Sequence, residues 1–168
     1  MHQLKSLFIS FLLVVLIFNN AVFATTFNFT VDDNGNDSDA NVGDSLCQTA
    51  GAACTLRAAF EEMNAQTNSA DNAVIGFNSS MNIFPENAYV IDSEDVSGDH
   101  LNIQLDSASN TITFDGSSSV DKEFMSVKTT LEIKGDFDFQ YWRESGSPGN
   151  ESMFSLDEDN AKILVMMM

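Results

Sequence analysis

The sequence predicts a mainly β fold, on three observations. From Asn72 onward, short runs of alternating apolar residues are separated by Asn, Asp, Ser and Gly, the texture of strands joined by polar turns. Ahead of them, Thr26–Val31 (TFNFTV) alternates Phe27, Phe29 and Val31 with Thr26, Asn28 and Thr30, the period of a half-buried strand. Between these parts lies one helical pattern, in which Leu56, Phe60 and Met63 fall at i, i+4 and i+7 with the small Ala59 beside them. Strands this short, with turns this polar, suit solenoid coils that each bury one face against the next. An antiparallel sandwich made from the same strands is the competing arrangement.

Residues 1–24 read as a secretory signal. Lys5 gives a positive start, Leu7 to Phe18 form an apolar core short for a membrane span, and Val22-Phe23-Ala24 places small residues for cleavage after Ala24. An uncleaved anchor is the alternative. No later segment is long and apolar enough to cross a bilayer, so the mature chain is expected to have no transmembrane segment and to be secreted or held at the cell surface. Both cysteines, Cys47 and Cys54, follow the cleavage site and fit one disulfide in an oxidising compartment.

Asp32 to Asp44 (DDNGNDSDANVGD) carries no large apolar residue apart from Val42 and is expected to be a surface loop. The helix opens at Thr55, with Glu61 and Glu62 toward its outer face. Expected strands are Ala73–Phe77, Ala88–Ile91, Leu101–Leu105, Thr111–Phe114, Phe124–Val127, Leu131–Lys134, Phe137–Tyr141, Met153–Leu156 and Lys162–Val165. Their inward candidates are Ile75, Phe77, Ile103, Leu105, Ile112, Phe114, Leu131, Ile133, Phe137, Phe139, Phe154, Ile163 and Val165. No fixed spacing recurs among them. The end, Lys162-Ile163-Leu164-Val165-Met166-Met167-Met168, is a bare apolar strand where a solenoid normally carries a polar cap. It points to a truncated chain, or to self-association through an open edge.

The stretch Gly43 to Asn64, GDSLCQTAGAACTLRAAFEEMN, resembles the CSLREA-type N-terminal domain. The likeness rests on Cys54-Thr55-Leu56-Arg57, on the preceding strand and acidic loop, and on the Glu61-x-x-Asn64 exit, and it covers residues 25–78. That domain stands at the start of secreted or surface right-handed parallel β-helix proteins of pectin-lyase-like architecture, mostly bacterial. The resemblance therefore implies a right-handed parallel β-helix, with residues 25–71 as a disulfide-stapled cap and 72–168 as short or truncated coils. Within the cap, Thr55, Leu56, Arg57, Phe60, Met63 and Asn64 take the signature and structural places. The helix stripe is expected to close the open end of the coils, and Arg57 to pair with a carboxylate or with loop carbonyls. The family implies no defined activity.

Twenty-five acidic residues against seven basic ones set a formal net charge of −18. Such a chain has no means to neutralise phosphates, which excludes nucleic acid, and an anionic membrane surface would repel it. It favours solubility and cation binding. In the acidic loop, Asp33, Asp37 and Asp39 are the candidate calcium ligands, against the alternative of a disordered or merely solvated loop; the EF-hand pattern fails, since counting from Asp32, Asp37 stands where glycine is needed and Gly43 where glutamate is needed. No other cofactor is implied.

No catalytic set stands out. His100 is the only histidine after the signal, so neither a Ser-His-Asp triad nor a histidine-rich metal site has support. Pairs such as Asp136/Asp138 and Asp92/Asp95 carry little information in so acidic a chain, and the first pair alternates with Phe137 and Phe139 as outward residues on a strand. Tyr141 and Trp142 are candidates for stacking on a sugar, or for packing. The expected role is a non-catalytic extracellular module for adhesion or matrix contact, whose partner is a surface polysaccharide or a protein ligand. The alternative is a calcium-dependent polysaccharide-active β-helix enzyme or its inactive remnant, with Arg57 as a catalytic base. That alternative needs a side groove with clustered acids and a basic residue.

Overall fold

A computed structural model describes residues 26–65, 72–92, 102–118, 124–140, 154–156 and 162–166. The expected signal at 1–24, and His100, Tyr141 and Trp142, lie outside the described residues. The chain runs β1 (Thr26–Val31), α1 (Leu56–Asn64), β2 (Asn72–Phe77), β3 (Met81–Ile83), β4 (Tyr89–Ile91), β5 (Asn102–Asp115), a 3-10 turn (Gly116–Ser118), β6 (Met125–Val127), β7 (Thr130–Gln140), β8 (Phe154–Leu156) and β9 (Lys162–Met166).

Every pair of these strands runs parallel, which excludes the antiparallel sandwich. One sheet has the order β1-β2-β5-β7-β9, with β3 beside the second half of β5; the other has the order β4-β6-β8. Parallel neighbours cannot be joined by a tight hairpin, so each connection must lead away from the sheet and back. In-register residues stack into apolar columns: Phe29, Ile75, Leu105, Ile133 and Val165 form one, and Ile83, Phe114 and Phe139 another. A third holds Tyr89, Met125 and Phe154. The period-2 pattern sends these side chains to one face of each sheet.

Two expected strand pairs prove to be single bent strands. The described parts of Leu101–Leu105 and Thr111–Phe114 fall within β5, and those of Leu131–Lys134 and Phe137–Tyr141 within β7, with Leu101 and Tyr141 outside the described residues. Their pairing shifts register between Asp106 and Thr111. At that corner Ala108 has φ 53° and Gly135 φ 110°. Ser107 is buried there, and its Oγ accepts from Asp136 N at 2.8 Å. Polar residues that read as a loop in sequence thus turn the corner without ending the ladder. Strand β3 escaped the periodicity because three residues cannot display a period.

The core is aromatic where the sheets meet. Phe124 packs on Phe114 at 4.6 Å between ring centroids, on Phe139 at 5.4 Å, on Phe154 at 5.5 Å and on Tyr89 at 5.6 Å. Phe60 of α1 joins the cluster through Tyr89 at 5.3 Å. Edge-to-face and offset contacts of this kind add stabilisation beyond area burial. Leu56, Ala59, Phe60 and Met63 are all buried, and α1 packs against β1 and β4. Glu62 departs from expectation: it is not on an outer face but fully buried.

Among the inward candidates, Val165 also departs from expectation, being 56% exposed although it continues a column buried at every earlier level. Leu156 likewise continues the column of Ile91 and Val127 and is exposed. Leu164 and Met166, in register with Glu132 and Lys134 on the alternate face of β9, are exposed as well.

Candidate functional site

The segment from β1 to the end of α1 builds itself around a covalent staple and a helix cap. Cys47 and Cys54 form a disulfide with Cα atoms 5.1 Å apart, closing a loop of sequence separation 7. A loop this short removes about 2.5 kcal/mol of unfolded-state entropy in the chain-entropy account. Next to it, Thr55 caps α1: its Oγ1 accepts from Ala58 N at 3.0 Å and donates to Asp37 O at 2.6 Å. That one hydroxyl satisfies an orphan helix donor and ties down the acidic loop.

The acidic loop is held by backbone donors. Asp32 Oδ1 accepts from Cys54 N at 2.7 Å, Asp33 Oδ1 from Gly35 N at 2.6 Å, and Asp39 from both Asn41 N and Gln48 N at 2.8 Å. Glu61 of α1 accepts from Ser38 Oγ at 3.0 Å and Asp39 N at 2.8 Å. Buried Glu62 accepts from Gly43 N and Ser45 N. Charge-assisted bonds to backbone N–H are the strong kind, and here they order a segment with almost no apolar residues. Asp33, Asp37 and Asp39 do not come together: among the described residues no group of three acidic, histidine or cysteine side chains is placed to hold a metal ion.

Polar side chains of this segment then reach the free edges of the sheets. Asn34 Nδ2 donates to Asn82 O of β3 at 3.0 Å. Arg57 Nη2 donates to Asn87 O in the β3–β4 connection at 3.3 Å, while its Nε donates to Asn36 Oδ1 at 3.0 Å. Its guanidinium lies 5.2 Å from the Tyr89 ring centroid, a cation–π contact. Arg57 therefore pairs with a side-chain amide oxygen in the loop and with a backbone carbonyl beyond it. Asn64 Nδ2 donates to Val90 O at 2.7 Å, and its Oδ1 accepts from Asp92 N at 3.0 Å. Unpaired strand edges invite other chains, and side-chain amides occupy these positions instead.

Between α1 and β4 lies a cleft of about 210 Å³ lined by Arg57, Phe60, Glu61, Asn64, Tyr89 and Val90. The Tyr89 hydroxyl is buried without a hydrogen-bond partner. Burial pushes its phenol well above the ordinary range, with Arg57 opposing. A second, larger groove of about 350 Å³ runs over the outer face of the β2-β5-β7-β9 sheet. Its described polar lining is Asn72, Asn102, Gln104, Thr130 and Glu132, with Asn102 bonded to Asn72 at 3.2 Å and Gln104 to Glu132 at 2.7 Å. Among the described residues, one carboxylate and no basic side chain line it, so they offer no acid–base pair to a glycosidic bond. Lys134 and Lys128 are paired elsewhere, with Asp106 at 2.9 Å and Asp92 at 2.7 Å. Asp136 and Asp138 accept from Thr111 Oγ1 and Gln140 Nε2.

Sequence reasoning did not find Glu62, Asn34 or Tyr89. No protein-family model, curated protein or solved structure matches this chain.

Proposed function

We propose that this chain is an exported, non-catalytic extracellular module: a right-handed parallel β-helix whose first coils are closed by a CSLREA-like cap. The observation that carries the reading is the parallel stack β1-β2-β5-β7-β9 with β4-β6-β8, met at one end by α1, by Asn34 and Asn64 on its strand edges and by Arg57 on the β3–β4 connection. Capping of this sort is what a stack of coils needs to stay soluble. The disulfide supports an oxidising destination. A stiff acidic stack with a polar outer face fits contact with a surface polysaccharide or a protein ligand better than catalysis.

At the opposite end, the uncovered Leu156 and Val165, which continue buried columns, require a cover, which we assign to another strand layer, in the simplest case from a second copy. The experiment is intact-mass analysis of the product recovered from the envelope and medium of the producing cells, with sedimentation of the purified protein. Export, loss of residues 1–24 and a mass two hydrogens below the thiol form support the reading. Retention inside the cell with free thiols would overturn it. A monomer unaffected by Val165→Lys would overturn the assignment of the cover.

A further inference from the structure

Asn34-Gly35 is the sole Asn-Gly dipeptide in the sequence, and its asparagine joins two parts of the fold. Asn34 is exposed, and its amide is the tie between the acidic loop and the edge of β3. We propose that Asn34 is a deamidation site that the folded loop holds in check, and that its conversion permanently releases this tie.

The chemistry needs only water. Gly35 N attacks Asn34 Cγ, the bond from Cγ to the amide nitrogen Nδ2 breaks, and ammonia leaves with the proton given up by Gly35 N–H. Water then opens the resulting succinimide to aspartate or isoaspartate. Glycine favours the attack, because it places no side chain against the incoming backbone nitrogen. The folded structure restrains both reacting groups. Gly35 N donates to Asp33 Oδ1 at 2.6 Å, which holds the nucleophile's proton, and Asn34 Nδ2 is held at Asn82 O.

The product reverses the contact. A carboxylate cannot donate to Asn82 O, so two acceptors face each other across the former bond. The new charge also joins Asp32, Asp33 and Asp37 in a protein already at −18. Opening of the loop frees both reacting groups from these bonds, and conversion prevents the loop from closing in the same way. The step acts as a one-way record of opening. It depends on no assignment of function.

The test follows conversion at Asn34 by peptide mass mapping at mildly alkaline pH. It compares the disulfide-intact folded protein, the reduced and denatured protein, and the Asp33→Ala variant in both states. The expected result is that Asn34 converts fastest of all asparagines in the denatured protein and on the order of tenfold slower when folded. Asp33→Ala restores speed only in the folded state. Equal rates in folded and denatured protein would overturn the restraint, and a slower Asn34 than Asn41 or Asn78 in the denatured state would overturn the site. For the consequence, N34D is compared with native protein by limited proteolysis of residues 32–46. Faster cleavage in N34D is expected, and an unchanged rate would refute the release.

Discussion

Asn64 stands beside Val90 as a substitute for a neighbouring strand. Its amide donates to Val90 O at 2.7 Å and accepts from Asp92 N at 3.0 Å, so one side chain presents to β4 the donor and acceptor that a peptide bond would present. The strand is the outermost member of its sheet, and the last residue of α1 covers its edge. Replacing Asn64 with alanine is expected to cost about 1–2 kcal/mol and to speed amide exchange at Asp92. Exchange at Asp92 unchanged in the variant would show that the amide pair does not protect this edge.

The buried Glu62 carboxylate organises the loop. Glu62→Ala leaves the Gly43 and Ser45 amides without their acceptor, and is expected to cost about 3 kcal/mol and to open residues 41–46 to protease. Glu62→Gln keeps one carbonyl and should lose less. Thermal unfolding and proteolysis of the two variants against native protein check both statements.

At the corner shared by β5 and β7, a Cβ on Gly135 would lie 2.1 Å from Ser107 Oγ, and φ there is +110°. Gly135→Ala is expected to destabilise by about 2 kcal/mol. Removing the obstructing hydroxymethyl with Ser107→Gly should recover part of that loss, because the clash is shared while the dihedral strain is not. Urea unfolding of the single and double variants measures the coupling.

Tyr89 makes stability fall in alkali. Its folded-state pKa is raised by burial above the ordinary 10.0, so the neutral phenol is favoured in the fold. The contribution is fully present below pH 10.0 and is lost as pH rises from there toward the folded-state value. In a Tyr141→Phe background, phenolate absorbance should appear only with unfolding. Adding Tyr89→Phe should weaken this alkaline sensitivity and raise neutral-pH stability by about 1 kcal/mol, since the hydroxyl is buried without a partner. A phenol that ionises reversibly in the folded protein at its ordinary pH would contradict this account.

Much of the fold was legible because its signals are local. Alternation marked Ile75, Phe77, Ile103, Leu105, Ile112, Phe114, Leu131 and Ile133 as inward, and all are buried. The helix stripe of Leu56, Phe60 and Met63 is buried as its spacing required. Phe124 and Tyr89, central to the aromatic core, did not show in the same way, because each begins or adjoins a strand of three residues. In α1, Arg57 was singled out, but not its partner Asn87, which lies thirty residues on. The acidic loop read as a cation binder because composition counts carboxylates, whereas the fold supplies Asp33 and Asp39 with backbone N–H donors.

Periodicity and residue counts, which are properties of near neighbours, were enough to mark most of the strands, the helix and the apolar face of each. They also made two cysteines available to one disulfide. The parallel stacking of the strands, the unbroken bends of β5 and β7, and the burial of Glu62 emerged only on folding. So did the closing of the sheet edges by Asn34 and Asn64. Those outcomes depend on groups brought together from distant parts of the molecule: a buried carboxylate needs donors from a loop, and a strand edge needs an amide from a helix end.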